Sequence, residues 1–148
     1  MLLAALGQKE TIAQWQPEAI PVAEEESNID FVWDTKSGVR TFCEVKLSES
    51  AVGSAVSNEK RLWKLRHLYR EVLAGHLPPS RLEPAAFFAT YQFSRNVWHM
   101  LRVPQSVLIF LAPRANSTLW KRLNSLHTEV IPETRKRIRI VAVERCHN

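Results

Sequence analysis

Glycine is scarce in this chain, with four in 148 residues. None sits in a Gly-rich run of the kind whose backbone N–H groups cradle a phosphate. Cysteine is scarcer, with two residues, Cys43 and Cys146. Their spacing does not suggest zinc. A small buried hydrophobe in a reducing compartment is the better reading of Cys43. The histidines, His67, His76, His99, His127 and His147, form no metal-ligand spacing. No serine or cysteine nucleophile motif is visible. No apolar run is long enough to span a bilayer. The opening Met1-Leu2-Leu3-Ala4-Ala5-Leu6-Gly7 is too short for a signal peptide and lacks a basic lead-in. The expectation is a cytoplasmic protein with no membrane partner.

What is abundant is ordinary apolar content and a modest excess of cations. Hydrophobic residues make up 45% and charged residues 24%, which places the chain among globular proteins rather than disordered ones. Its 148 residues predict a single domain, 1–148, with a real core. The net charge is +5. That balance leans toward a polyanionic partner, of which nucleic acid is the commonest.

The informative stretch runs from Asn28 to Ser48. Ile29-Asp30-Phe31-Val32-Trp33 and Val39 to Leu47 are rich in β-branched and aromatic residues, which suit strands. Side chains alternate along a strand, so Ile29, Phe31 and Trp33 share one face, as do Cys43, Val45 and Leu47. If both apolar faces pack into one core, opposed residues have numbers with an even sum. A three-residue loop, Lys36-Ser37-Gly38, satisfies this, with Gly38 in the left-handed position. Asp30 then lies across from Glu44, and Lys46 follows one same-face step along. A one-residue slip would undo the arrangement and expose an apolar row.

Two carboxylates held close together repel, and each raises the other's pKa. A divalent cation resolves that conflict, and Mg²⁺ favours hard oxygen ligands. Such an ion can activate water and neutralise charge building up on a phosphodiester. A neighbouring lysine can hold the attacking water or stabilise the crowded phosphate. The bland reading is a solvated outer face of an amphipathic hairpin, and a Glu-x-Lys triplet by itself is common.

Asp30 followed across a turn by Glu44-Val45-Lys46 resembles the signature of the PD-(D/E)xK nuclease superfamily, with Ile29 where that family often has proline. Ser27 to Trp33, Thr41 to Glu49, Tyr91-Gln92 and Arg95-Asn96 are similar to a bacterial group of restriction-endonuclease-like proteins, across roughly Asn28 to Pro113. The resemblance implies an α/β fold: a restriction-endonuclease-like central mixed β-sheet, the site on an antiparallel hairpin, and helices on both faces. It implies a Mg²⁺- or Mn²⁺-dependent endodeoxyribonuclease. Asp30 and Glu44 would ligate the metal with the Val45 carbonyl, and Lys46 would position or activate water. The auxiliary candidates are Glu10, from a helix preceding the first strand, and Gln92, from a helix bordering the metal site. Each also reads as an ordinary surface residue, and for Glu10 that reading is the better one.

Elsewhere, residues 2–15 predict a short helix interrupted by Gly7, short enough that the chain's true start could lie upstream. Glu18 to Ala23 reads as a poor strand limited to an edge by Pro21, and Glu24-Glu25-Glu26 as a solvated loop. Ser57 or Asn58 caps a helix from Glu59 to Ala74, closed by Gly75. That helix carries Lys60, Arg61 and Lys64, which with Arg95 are the candidate DNA-backbone contacts; an ordinary charged helix exterior fits equally well. A second helix is predicted from Pro84 to Arg102, a buried strand over 105–112, a helix from Asn116 or Ser117 to about His127, and a last strand over 138–143. Two buried strands separated by a helix suggest a parallel crossover. Arg135, Lys136, Arg137 and Arg139 crowd the start of the last strand as further phosphate contacts. DNA is the expected partner, and a homodimer would ease cleavage of both strands. The rival readings are a catalytically silent nucleic-acid-binding module and a protein-interaction domain on the same fold.

Overall fold

The computed structural model describes residues 10–144. A five-stranded mixed sheet, ordered β1-β2-β3-β4-β5, forms its centre. The strands are β1 (Ile12–Ala19), β2 (Ile29–Thr35), β3 (Arg40–Val45), β4 (Val107–Ala112) and β5 (Ile138–Ala142). The first three are antiparallel, and β3, β4 and β5 run parallel. Between β3 and β4 come α1 (Glu59–Lys64), a π-helical turn (Leu65–Tyr69), α2 (Arg70–Leu73), a 3-10 turn (Pro79–Leu82), α3 (Pro84–Ala89) and α4 (Tyr91–Leu101). Between β4 and β5 come α5 (Ser117–Glu129) and α6 (Pro132–Arg135).

The hairpin has the expected register. Phe31 opposes Cys43, Val32 opposes Phe42 and Trp33 opposes Thr41. The Thr35 N–H bonds the Val39 carbonyl, and Gly38 adopts φ +88°. A glycine meets that backbone demand without Cβ strain. Asn58 caps α1 by accepting the Arg61 N–H at 2.9 Å.

The two faces of the sheet take the opposite roles from those expected. The larger core gathers on the face of Val32, Phe42, Leu108 and Phe110, which is also the face of Asp30 and Glu44. Trp33, Cys43 and Ile109 form a smaller cluster on the other face. Strand order gives the reason. Successive right-handed crossovers from β3 to β4 and from β4 to β5 lay their helices on one face of the sheet. Leu65, Tyr69, Phe93, Val97, Leu119 and Leu123 all join the larger core. Helices on the second face, expected from the sequence, are not among the described residues.

Two predicted helices differ from expectation. The predicted helix over 2–15 is strand from Ile12 onward, and its first part lies outside the described residues. β1 is an edge strand, which is why it tolerates Pro17 opposite Phe31. The predicted helix from Pro84 to Arg102 breaks at Thr90, whose backbone (φ −129°, ψ 37°) leaves the helical region. No described helix is long and apolar enough to cross a membrane.

Candidate active site

Two strands and one helix build the site. Asp30 sits one residue into β2, and its Oδ2 accepts the Val45 backbone N–H at 2.7 Å. That bond aims its carboxylate at β3. Glu44, near the end of β3, is 4% exposed. Burial pushes its carboxyl pKa up; the Lys46 charge opposes this, the Asp30 charge adds to it, and Arg95 opposes it. Lys46 is equally buried, and its Nζ lies 3.1 Å from Glu44 Oε1. Asp30, Glu44 and Lys46 thus share the face that the register assigns them.

Helix α4 closes over them. Gln92 Oε1 accepts a hydrogen bond from the Lys46 ammonium. Asn96, one turn on, donates Nδ2 to Glu44 Oε2 at 3.1 Å. Arg95 reaches Glu44 Oε2 at 3.6 Å and donates Nε to Asn96 Oδ1 at 3.0 Å. Residues at i and i+4 share a helix face, so Gln92 and Asn96 descend together onto β3. Gln92, an auxiliary candidate in the sequence, is therefore part of the cluster. Arg95 is 6% exposed and engaged with Glu44, so its first contact is with the site rather than with a DNA backbone. Glu10, the other auxiliary candidate, sits at the hairpin loop, where it accepts the Ser37 hydroxyl. Ser37 lies at the turn and Asp30 near the opposite end of β2, so Glu10 is not brought to the acids.

The donor set suits a hard cation. Asp30 and Glu44 offer carboxylate oxygens, and Mg²⁺ commonly keeps several waters beside one or two carboxylates. No group of three His, Cys, Asp or Glu side chains able to hold a metal exists among the described residues, so solvent and substrate would complete any shell. Burial is the main cause of the raised Glu44 carboxyl pKa and the Asp30 charge adds to it; a cation beside both acids would relieve that second part.

Glu25 lies in the Glu24-Glu25-Glu26 run, for which the sequence favours a solvated loop over an acid brought near the metal, yet it is fully buried. Its carboxylate accepts from the Tyr69 hydroxyl, the Tyr91 hydroxyl at 3.2 Å and the Ser27 N–H at 3.0 Å, and lies 3.2 Å from His99 Nε2. Burial pushes the Glu25 carboxyl pKa up, but hydrogen bonds from His99, Ser27 and Tyr69 outweigh it and hold the group at about 2. Burial depresses the imidazole of His99. The Glu25 carboxylate and the His99 ring therefore form a buried, mutually dependent pair. The visible signal was Tyr91, Arg95 and His99 at four-residue steps on α4, one polar row beside the Gln92–Asn96 row.

The basic residues divide into two groups. Lys60, Arg61, Lys64 and Arg95 line one cleft of about 430 Å³ beside the site. Arg135 and Arg137 do not act as free phosphate contacts. Arg135 bonds the Thr128 and Val130 carbonyls, and Arg137 bonds those of Met100, Val103 and Ser106. They satisfy chain carbonyls at the ends of α5 and α4, a common duty for cations at helix C-termini.

No curated protein and no solved structure matches the chain. A family model described as Restriction Endonuclease associating with ARP matches residues 1–145, nearly the whole sequence. The chain belongs to that family, REase-ARP.

Proposed function

We propose that this protein is a metal-dependent endodeoxyribonuclease of the PD-(D/E)xK kind. The observation that supports it most is the convergence of Asp30, Glu44 and Lys46 on one face, with the Lys46 ammonium 3.1 Å from Glu44. Membership of a restriction-endonuclease family favours the same reading. Asp30, Glu44 and the Val45 carbonyl would hold Mg²⁺ or Mn²⁺. When bound, that ion would activate water and neutralise charge on the phosphodiester.

The chain's own residues do the rest. Lys46, pinned between Glu44 and Gln92, presents a fixed ammonium to the attacking water or to the non-bridging phosphate oxygens. Fixing it in advance removes the need to reorganise it during reaction. Asn96 orients Glu44 through its hydrogen bond, and the Lys46 and Arg95 charges oppose the burial that favours its neutral form. Glu44 keeps accepting capacity on both oxygens, since an ionised carboxylate has about four lone-pair sites. Lys60, Arg61 and Lys64 would grip backbone phosphates. Cutting both strands of a duplex would be easiest for a homodimer.

The test is nicking of supercoiled plasmid with Mg²⁺ or Mn²⁺, beside Lys46→Ala. Nicking should require the metal and fall by at least about a hundredfold in the variant. Nicking that survives in Lys46→Ala overturns the assignment. Binding without cutting, weakening steeply with salt, would instead mark a silent nucleic-acid-binding module.

A further inference from the structure

The cleft beside the site already contains an anion. Glu26 Oε2 lies 2.5 Å from Lys60 Nζ and 3.6 Å from Lys64 Nζ. Four cationic side chains line this cleft against two carboxylates, those of Glu25 and Glu26. Glu25 turns its carboxylate into the buried network of Tyr69, Tyr91 and His99. Glu26 alone of the two answers the cleft's cations.

Its position is imposed by its neighbour. The Glu25 carboxylate is anchored from several directions, and the Glu25 carbonyl accepts the Lys64 ammonium. Glu26 follows in the left-handed region, at φ +66°, a strained conformation for a residue with a Cβ. An ordinary surface ion pair forms on a relaxed loop and contributes little. Here an anchored, strained backbone delivers a carboxylate to two lysines, one of them only 8% exposed. The Lys60 hydrogen bond holds the Glu26 carboxyl pKa below its usual range.

The location connects the cleft to the chemistry. Gln92 and Arg95 line it, and the same two side chains touch Lys46 and Glu44. Gln92 and Arg95 thus link the Lys60–Lys64 end of the cleft to Lys46 and Glu44. A carboxylate and a phosphate present similar oxygen pairs to ammonium groups, so they compete for the same cations.

We propose that this cleft is a phosphate subsite for the substrate strand, and that the Glu26 carboxylate occupies the Lys60–Lys64 pair until a substrate phosphate displaces it. Glu26 thus acts as a built-in competitor. It lowers affinity for stray polyanions and is displaced by a strand that also engages the site. The proposal rests on the nucleic-acid part of the reading above and not on cleavage.

The test measures binding of a short labelled oligodeoxynucleotide in EDTA, so that cleavage plays no part. Glu26→Gln should tighten binding by about tenfold, from loss of the competing charge. Glu26→Gly should do the same, and it also relieves the left-handed strain, so its folding is not in question. Lys60→Ala should weaken binding and lower the salt slope by about one. In the Lys60→Ala background the gain from Glu26→Gly should shrink, as expected for a coupled pair. Unchanged or weaker binding by both Glu26 variants overturns the proposal. So does saturation of the cleft by inorganic phosphate with no effect on oligonucleotide binding. If Glu26 variants bind tighter but the protein does not nick plasmid, the nuclease reading fails and the subsite stands. Metal-dependent nicking with inert Glu26 and Lys60 variants sinks the subsite alone.

Discussion

Gln92 and Lys46 lie 46 residues apart in the chain, and the Gln92 side-chain carbonyl accepts a hydrogen bond from the Lys46 ammonium. This contact joins helix α4 to the strand that carries the acids. It makes the lysine a fixed group rather than a flexible one. A lysine side chain otherwise carries about 2 kcal/mol of rotamer entropy.

Gln92→Ala should leave the fold intact and reduce metal-dependent nicking by about ten- to a hundredfold, since Lys46 loses one of its restraints. Thermal melting beside plasmid nicking checks it. A variant as active as the parent would show that the carboxylates of Glu44 and Glu49, 3.1 and 3.8 Å from the Lys46 ammonium, position it without Gln92.

Gly53 holds Gln92 from the other side. Its carbonyl accepts the Gln92 N–H at 3.1 Å, and a Cβ at Gly53 would fall 2.3 Å from the Gln92 side-chain carbonyl. Its φ of +101° adds backbone strain to any substitution. Gly53→Ala should cost about 1–3 kcal/mol of stability and push Gln92 off Lys46. The expected signature is a lower melting temperature together with an activity loss like that of Gln92→Ala.

Arg95 supports the ionised form of Glu44 across 3.6 Å. Burial already raises the Glu44 carboxyl pKa, and only the ionised form can hold a cation. Arg95→Ala should therefore move the acidic limb of the pH–activity profile to higher pH, and Arg95→Lys should move it less. A profile that keeps its position while overall activity falls would assign Arg95 to strand binding instead.

Glu25 makes stability depend on pH with a definite sign. Its folded pKa, about 2, lies below the ordinary value of 4.5. The stabilisation is fully present above pH 4.5 and is lost as pH falls toward 2. A depression of that size corresponds to about 3 kcal/mol. Glu25→Gln should be less stable than the parent near neutrality, and the gap should close across that acidic window. Denaturant unfolding at a series of pH values reads it directly.

Arg137 ties the Met100, Val103 and Ser106 carbonyls together. Arg137→Ala should lower stability by about 1–3 kcal/mol through unsatisfied carbonyls. It should leave the salt slope of DNA binding unchanged. A shallower slope would return this residue to the list of phosphate contacts.

Some of this was legible in the sequence because it depends on local periodicity. Gly38 and the alternation of Phe31, Trp33, Cys43 and Val45 set an odd loop and one register, and that register puts Asp30 and Glu44 on the same side. Asn58, Gly75 and Asn116 mark helix ends for equally local reasons. β1 was misread because Gln14, Trp15 and Gln16 are held as strand by pairing with Asp34, Trp33 and Val32 of β2, a partnership their own local pattern does not show. Thr90 broke a helix that periodicity alone would continue.

The sequence by itself determined which side of the hairpin each charged residue occupies, since a strand's two-residue repeat leaves no other choice once the loop length is set. Only the tertiary structure decided which side is buried. Crossover handedness and strand order place the helices over the acids, and those are properties of the whole sheet rather than of any segment. The same packing made Glu25 a buried anion and Arg95 a partner of Glu44. Their environment is supplied by residues distant in the chain, and no local pattern encodes it.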